Sequence, residues 1–78
     1  MNNLKVGDKV RLDSKAIENS EYKFQFDGKV KESVYVYDVI DHINPTFAFK
    51  TSPKSKHNGC LPMSFIESVI SSGHKLYY

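Results

Sequence analysis

The chain has 78 residues, a formal net charge of +2 at pH 7 and 40% hydrophobic residues. That length admits one domain with a thin core, because so small a domain buries only about 60% of the surface its unfolded chain exposes. Cys60 is the only cysteine, which excludes a disulfide within the chain, and Cys60, His42, His57 and His74 have no paired ligand spacing, so neither metal nor cofactor is expected.

A thin core without a staple calls for a compact sheet closed on itself, or for self-association into a homo-oligomer. Lysines are scattered among acids with no block of like charge, which reads as an ordinary mixed surface rather than a nucleic-acid footprint. No apolar run approaches the roughly 20 residues that cross a bilayer, so no membrane contact is expected. The opening Met1-Asn2-Asn3-Leu4-Lys5 lacks the apolar segment of a signal peptide, which predicts synthesis in the cytoplasm.

In chain order, Gly7-Asp8 is a turn signal, and Val10-Arg11-Leu12 alternates as a strand with one wet face. Residues 13–21 are polar and read as a loop, with room for a single helical turn around Ala16–Asn19. Tyr22-Lys23-Phe24-Gln25-Phe26 alternates aromatic and polar, as a strand or an extended arm does, and Asp27-Gly28 after it is a hairpin pair. Val34–Ile40, rich in β-branched and aromatic residues, is the clearest strand. Asn44-Pro45-Thr46 predicts a turn, 47–51 a short strand, and 52–59 a mobile basic loop. Gly59 opens a short ordered turn before a last strand over 65–70, and Ser71-Ser72-Gly73 leads into the end of the chain. The reading is an all-β domain over 1–70, a small antiparallel barrel of five to six short strands with one single-turn helix, followed by a flexible tail over 71–78. The expected core is Val6, Val10, Leu12, Val34, Val36, Val39, Phe49, Leu61, Phe65 and Ile66, with Phe47 beside Phe49.

Gly59-Cys60-Leu61-Pro62-Met63-Ser64-Phe65-Ile66-Glu67 resembles the closing motif of SH3 domains. There a proline opens a one-turn helix, and an aromatic and a β-branched residue re-enter the sheet. Lys5–Leu12, the Ser14-Lys15-Ala16 step and Val34, Val36 and Val39 are similar to the bacterial SH3 domains of phage lysins and cell-wall amidases. That resemblance implies an SH3-like barrel and a peptidoglycan ligand, often a cross-bridge or stem peptide. It also implies a protein that becomes wall-associated after lysis. The motif has Cys60 where those domains usually carry tryptophan, and this chain has no tryptophan. With the missing signal segment, this points towards the alternative, a cytoplasmic phage or mobile-element module that blocks or adapts a host protein. A second alternative is a weak nucleic-acid binder using the basic loop at Lys54, Lys56 and His57.

Nothing points to catalysis. No serine lies in a Gly-x-Ser-x-Gly elbow, and Cys60, with only His57 nearby in sequence, reads as a small packed residue. Asp38, Asp41 and His42 read as a solvated strand end. If Val34, Val36 and Val39 face inward, Tyr35 and Tyr37 face outward, as ligand platforms or as cover for the barrel. Tyr22, Phe24 and Phe26 share a face of their segment, as core or as a groove wall. A small barrel has no internal pocket, so a ligand must lie in a groove between long loops. The expected groove joins the 13–29 arm, the outward tyrosines and the 50–59 loop. Its anchors are Tyr22, Tyr35, Tyr37, Pro62 and Phe65, and its rim charges are Lys54 and Lys56.

Overall fold

The computed structural model describes residues 4–26, 29–40, 43–55 and 58–76. It is mostly β: β1 (Lys9–Leu12), β2 (Ser33–Ile40), β3 (Thr46–Lys50), β4 (Asn58–Pro62) and β5 (Ile66–Ser71). They form one antiparallel sheet in the order β4-β3-β2-β1-β5. Strands β2 to β4 run as a meander, and β5 returns to pair with β1. The sheet does not close, since β4 and β5 remain at its edges. This topology is compatible with an SH3-like barrel. A 3-10 turn over Met63–Phe65 joins β4 to β5, where the proline motif predicted one.

Helical structure exceeds the single turn expected. The long β1–β2 connection also holds α1 (Ser14–Glu18) and a second 3-10 turn (Glu21–Gln25). The Asp13 carboxylate accepts from the Ala16 N–H at 3.2 Å and caps α1. The Ser20 hydroxyl accepts from the Tyr22 N–H at 3.2 Å and starts the 3-10 turn. A helix of five residues cannot stand alone in water. Ile17, fully buried, ties α1 to the core. At about 25 cal/mol per Å², burying such a side chain contributes roughly 2 kcal/mol, enough to hold one turn.

The core face of the sheet carries Val10, Leu12, Val34, Val36, Phe47, Phe49 and Leu61, all buried, with Ile66 at their margin. Phe26 comes down from the connection and stacks on Phe49, centroids 4.9 Å apart. Val39 and Phe65 are half-buried against this core. A simple two-residue alternation cannot put Val34, Val36 and Val39 on one face. A β-bulge makes it happen: Val36 faces Phe49 and Asp38 faces Ala48, so Tyr37 is the extra residue and the phase flips before Val39 meets Phe47.

Three expectations are corrected. Val6 is 56% exposed. It sits at the second position of a tight turn closed by Asp8 N–H donating to Lys5 C=O at 3.1 Å, with Gly7 at φ 94° in the third. Phe24 is 80% exposed, because its segment is a 3-10 turn and not a strand, so Tyr22, Phe24 and Phe26 do not share a face. The arm therefore pairs with no strand, and the Asp27-Gly28 hairpin expected after it lies outside the described residues. Cys60 is exposed on β4 and not packed. Beyond β5 the chain stays in contact with the sheet as far as His74, whose N–H donates to Gly7 C=O at 3.0 Å. Its ring meets Tyr35 edge-on at 5.0 Å.

Candidate ligand groove

The closing turn is built by Pro62, which holds φ −60° and ψ 143° and caps Met63–Phe65. Met63 N–H donates to Pro45 C=O at 3.0 Å, fastening the β2–β3 connection to this turn. Between the two segments lies an open cleft of about 270 Å³, lined by Asn44, Pro45, Pro62, Met63 and Ser64. The ring of the next residue, Phe65, meets that of Tyr22 edge-to-face, with centroids 5.5 Å apart and planes at 68°. Phe65 C=O also accepts from Asp13 N–H at 2.9 Å, which fixes where the β1–β2 connection begins. Tyr22 and Phe65 are both half-buried, each with one side on the core and the remainder open. An edge-to-face pair of this kind is worth about 0.5–1.5 kcal/mol beyond its area, so the rings hold each other in place.

Of the expected anchors, Tyr22 thus comes from a distant part of the chain to meet Phe65, which lies three residues after Pro62. Tyr35 and Tyr37 do not join them. They lie on the other face of β2, because Val34 and Val36 take the core side. There Lys9 Nζ sits 5.5 Å from the Tyr35 ring centroid and Lys50 Nζ 5.3 Å from that of Tyr37. Lys50, directly across from Tyr35, is itself only 2% exposed. Both tyrosines are half-buried under cations, which makes them cover for that face more than free platforms. Lys54 is exposed in the β3–β4 connection, where the Thr51 hydroxyl donates to the Ser55 hydroxyl at 3.0 Å. Lys56, the other rim charge, lies outside the described residues, as do His57, Asp41 and His42.

A feature the sequence pattern hid is the groove beside Phe24. It measures about 400 Å³ and is lined by Glu18, Lys23, Phe24, Phe26, Lys29 and Val30. Lys23 Nζ stands 5.4 Å from the Phe24 centroid. A large ring left in water between two lysines is not required by the fold. A further open depression lined by Arg11, Leu12, Asp13, Ser14, Lys15, Glu32 and Glu67 has charges of both signs. Among the described residues, no three His, Cys, Asp or Glu side chains cluster as a cation site would need, and no helix is long and apolar enough to cross a membrane. No protein-family model matches the chain, and no curated protein or solved structure does.

Proposed function

We propose that this chain is a non-catalytic binding module that takes an extended peptide across the Tyr22–Phe65 pair and the Pro62–Ser64 cleft, and that the peptide belongs to peptidoglycan. The observation that carries the reading is the Tyr22–Phe65 contact beside an open, partly apolar cleft. Half-buried aromatics and a proline offer flat apolar contact at small entropic cost, and the backbone and hydroxyl groups at Asn44 and Ser64 offer polar partners to a peptide main chain. The resemblance of the closing motif to SH3 domains, and of 5–12 to the wall-binding domains of phage lysins, supports the choice of ligand. Lys54 and Lys56 are rim charges in this reading and contribute well under about 1 kcal/mol each. The test is co-sedimentation of the fluorescently labelled chain with purified Gram-positive sacculi. Binding lost in Tyr22→Ala and Phe65→Ala, with both variants folded, supports the proposal. Absence of binding by the parent chain rejects it.

A second reading is favoured by Phe24. A single ring 80% exposed, flanked by Lys23 and Lys29, suits an anchor for a folded protein partner bearing acidic residues. This is the cytoplasmic module that blocks or adapts a host protein. Phe24→Ser separates the two readings: it abolishes capture of such a partner and leaves sacculus binding intact.

A further inference from the structure

The two edges of the sheet differ. On β4, Cys60 N–H donates to Gln25 Oε1 at 3.2 Å, and the strand ends in Pro62, which has no N–H. A Cβ on Gly59 would stand 2.7 Å from the same Gln25 oxygen, so the 3-10 turn lies close along this edge. An edge that is covered and ended by proline is closed to further pairing. Among the described residues, nothing protects strand β5 in this way. Ile66–Ser71 contains neither lysine nor proline, is exposed from Glu67 onward, and carries Val69 and Ile70 at 41% and 46% exposure.

The backbone of β1 shows where β5 is open. Leu12 N–H donates to Glu32 C=O at 2.7 Å, on the β2 side. Val10, two residues earlier, therefore also turns its N–H and C=O towards β2, where it faces Val34. Val69 lies opposite Val10 on the other side. Its own N–H and C=O must then point away from β1, towards the open edge.

We propose that β5 pairs antiparallel with β5 of a second copy of this chain, about a two-fold axis at Val69. The strand is self-complementary in that register. Val69 meets its own twin, Ser68 meets Ile70, and Glu67 meets Ser71, whose hydroxyl lies 2.7 Å from His74 Nε2. The one acid of the strand thus never opposes itself, and it approaches the His74 ring. The closed β4 edge blocks the head-to-tail alternative of β5 on β4, so association stops at two. Register shifts on either side of the Ser68–Val69 stretch sharpen the twist and shorten the regular pairing. A pair of such short strands buries less than the roughly 1,200 Å² of the smallest stable interfaces, so the dimer is weak and concentration-dependent.

Sedimentation equilibrium of the full chain under reducing conditions tests this. The expected mass rises from monomer towards dimer with concentration and never beyond. Val69→Pro removes an N–H that β1 does not use, and Ile70→Lys sets two cations on the shared edge; both should sediment as monomers at every concentration. Cys60→Ser should behave as the parent. Should Val69→Pro unfold by circular dichroism, Ile70→Lys decides alone, its side chain being on the surface. The Val69 amide should also gain protection from hydrogen exchange as concentration rises. A parent chain monomeric throughout, a mass beyond dimer, a dimer that survives in Ile70→Lys, or one lost in Cys60→Ser overturns the proposal.

Discussion

Gly7→Ala should destabilise this protein far more than Gly73→Ala, although both glycines hold positive φ, 94° and 80°. A side chain in that region costs about 1–2 kcal/mol by itself. At Gly73, among the described residues other than its chain neighbours, no atom lies within 4 Å of the added Cβ, so that cost is the whole effect. At Gly7 the Cβ would stand 2.7 Å from the His74 carbonyl oxygen, a backbone atom that cannot swing aside as a side chain would. The 74 segment must lift, and the His74 N–H to Gly7 C=O bond of 3.0 Å goes with it. That adds about 1 kcal/mol for the hydrogen bond. The edge-on contact of His74 with Tyr35 adds about 0.5–1 kcal/mol more. The sum is about 2.5–4 kcal/mol for Gly7→Ala against about 1–2 kcal/mol for Gly73→Ala. A domain of this size loses about 4–8 °C of Tm per kcal/mol, so Gly7→Ala should melt at least about 10 °C below the parent. Urea titration and thermal melts followed by circular dichroism measure both variants. Equal losses at the two positions would refute the docking of the chain end on the 5–8 turn.

Three further outcomes are expected. Ile17→Ala should cost about 2–5 kcal/mol in a urea titration, since the side chain is fully buried and is the buried anchor of α1; a loss under about 0.5 kcal/mol would mean that α1 is not docked. A double-mutant cycle on Tyr22→Ala and Phe65→Ala should give a coupling of about 0.5–1.5 kcal/mol, and additive effects would show that the rings do not touch. Tyr35→Ala should lower stability by about 1–2 kcal/mol, through its lost contacts with Lys9 and His74, and leave sacculus binding unchanged in the folded fraction. Lost binding at unchanged Tm would move the ligand to the opposite face.

Where local chemistry decides structure, the sequence alone determined it. The β-branched and aromatic run at 34–40 falls within β2, the turn signal at Asn44-Pro45 lies just before β3, and Pro62 opens a one-turn helix before the last strand. These elements depend on φ preferences and side-chain shape within a few residues. Core positions Val10, Leu12, Val34 and Val36 followed from the same alternation, and Pro62 and Phe65 were singled out by one contiguous motif. The tertiary structure alone decided the rest. The polar stretch in which the sequence left room for a helical turn around Ala16–Asn19 settled as α1 (Ser14–Glu18) because a single side chain, Ile17, found a buried site. An alternating aromatic segment became a 3-10 turn, because Ser20 capped it and Phe26 had Phe49 to stack on, which left Phe24 in water. Tyr37 became a bulge because Val39 had to meet Phe47. Tyr22 joined Phe65, and Lys9 and His74 came to cover Tyr35 on the outward face that alternation had already given it. Periodicity reports which residues of a segment can share a face. It carries no information on which distant segment will cover that face, and in a domain with so thin a core one covering side chain is enough to choose between helix and strand.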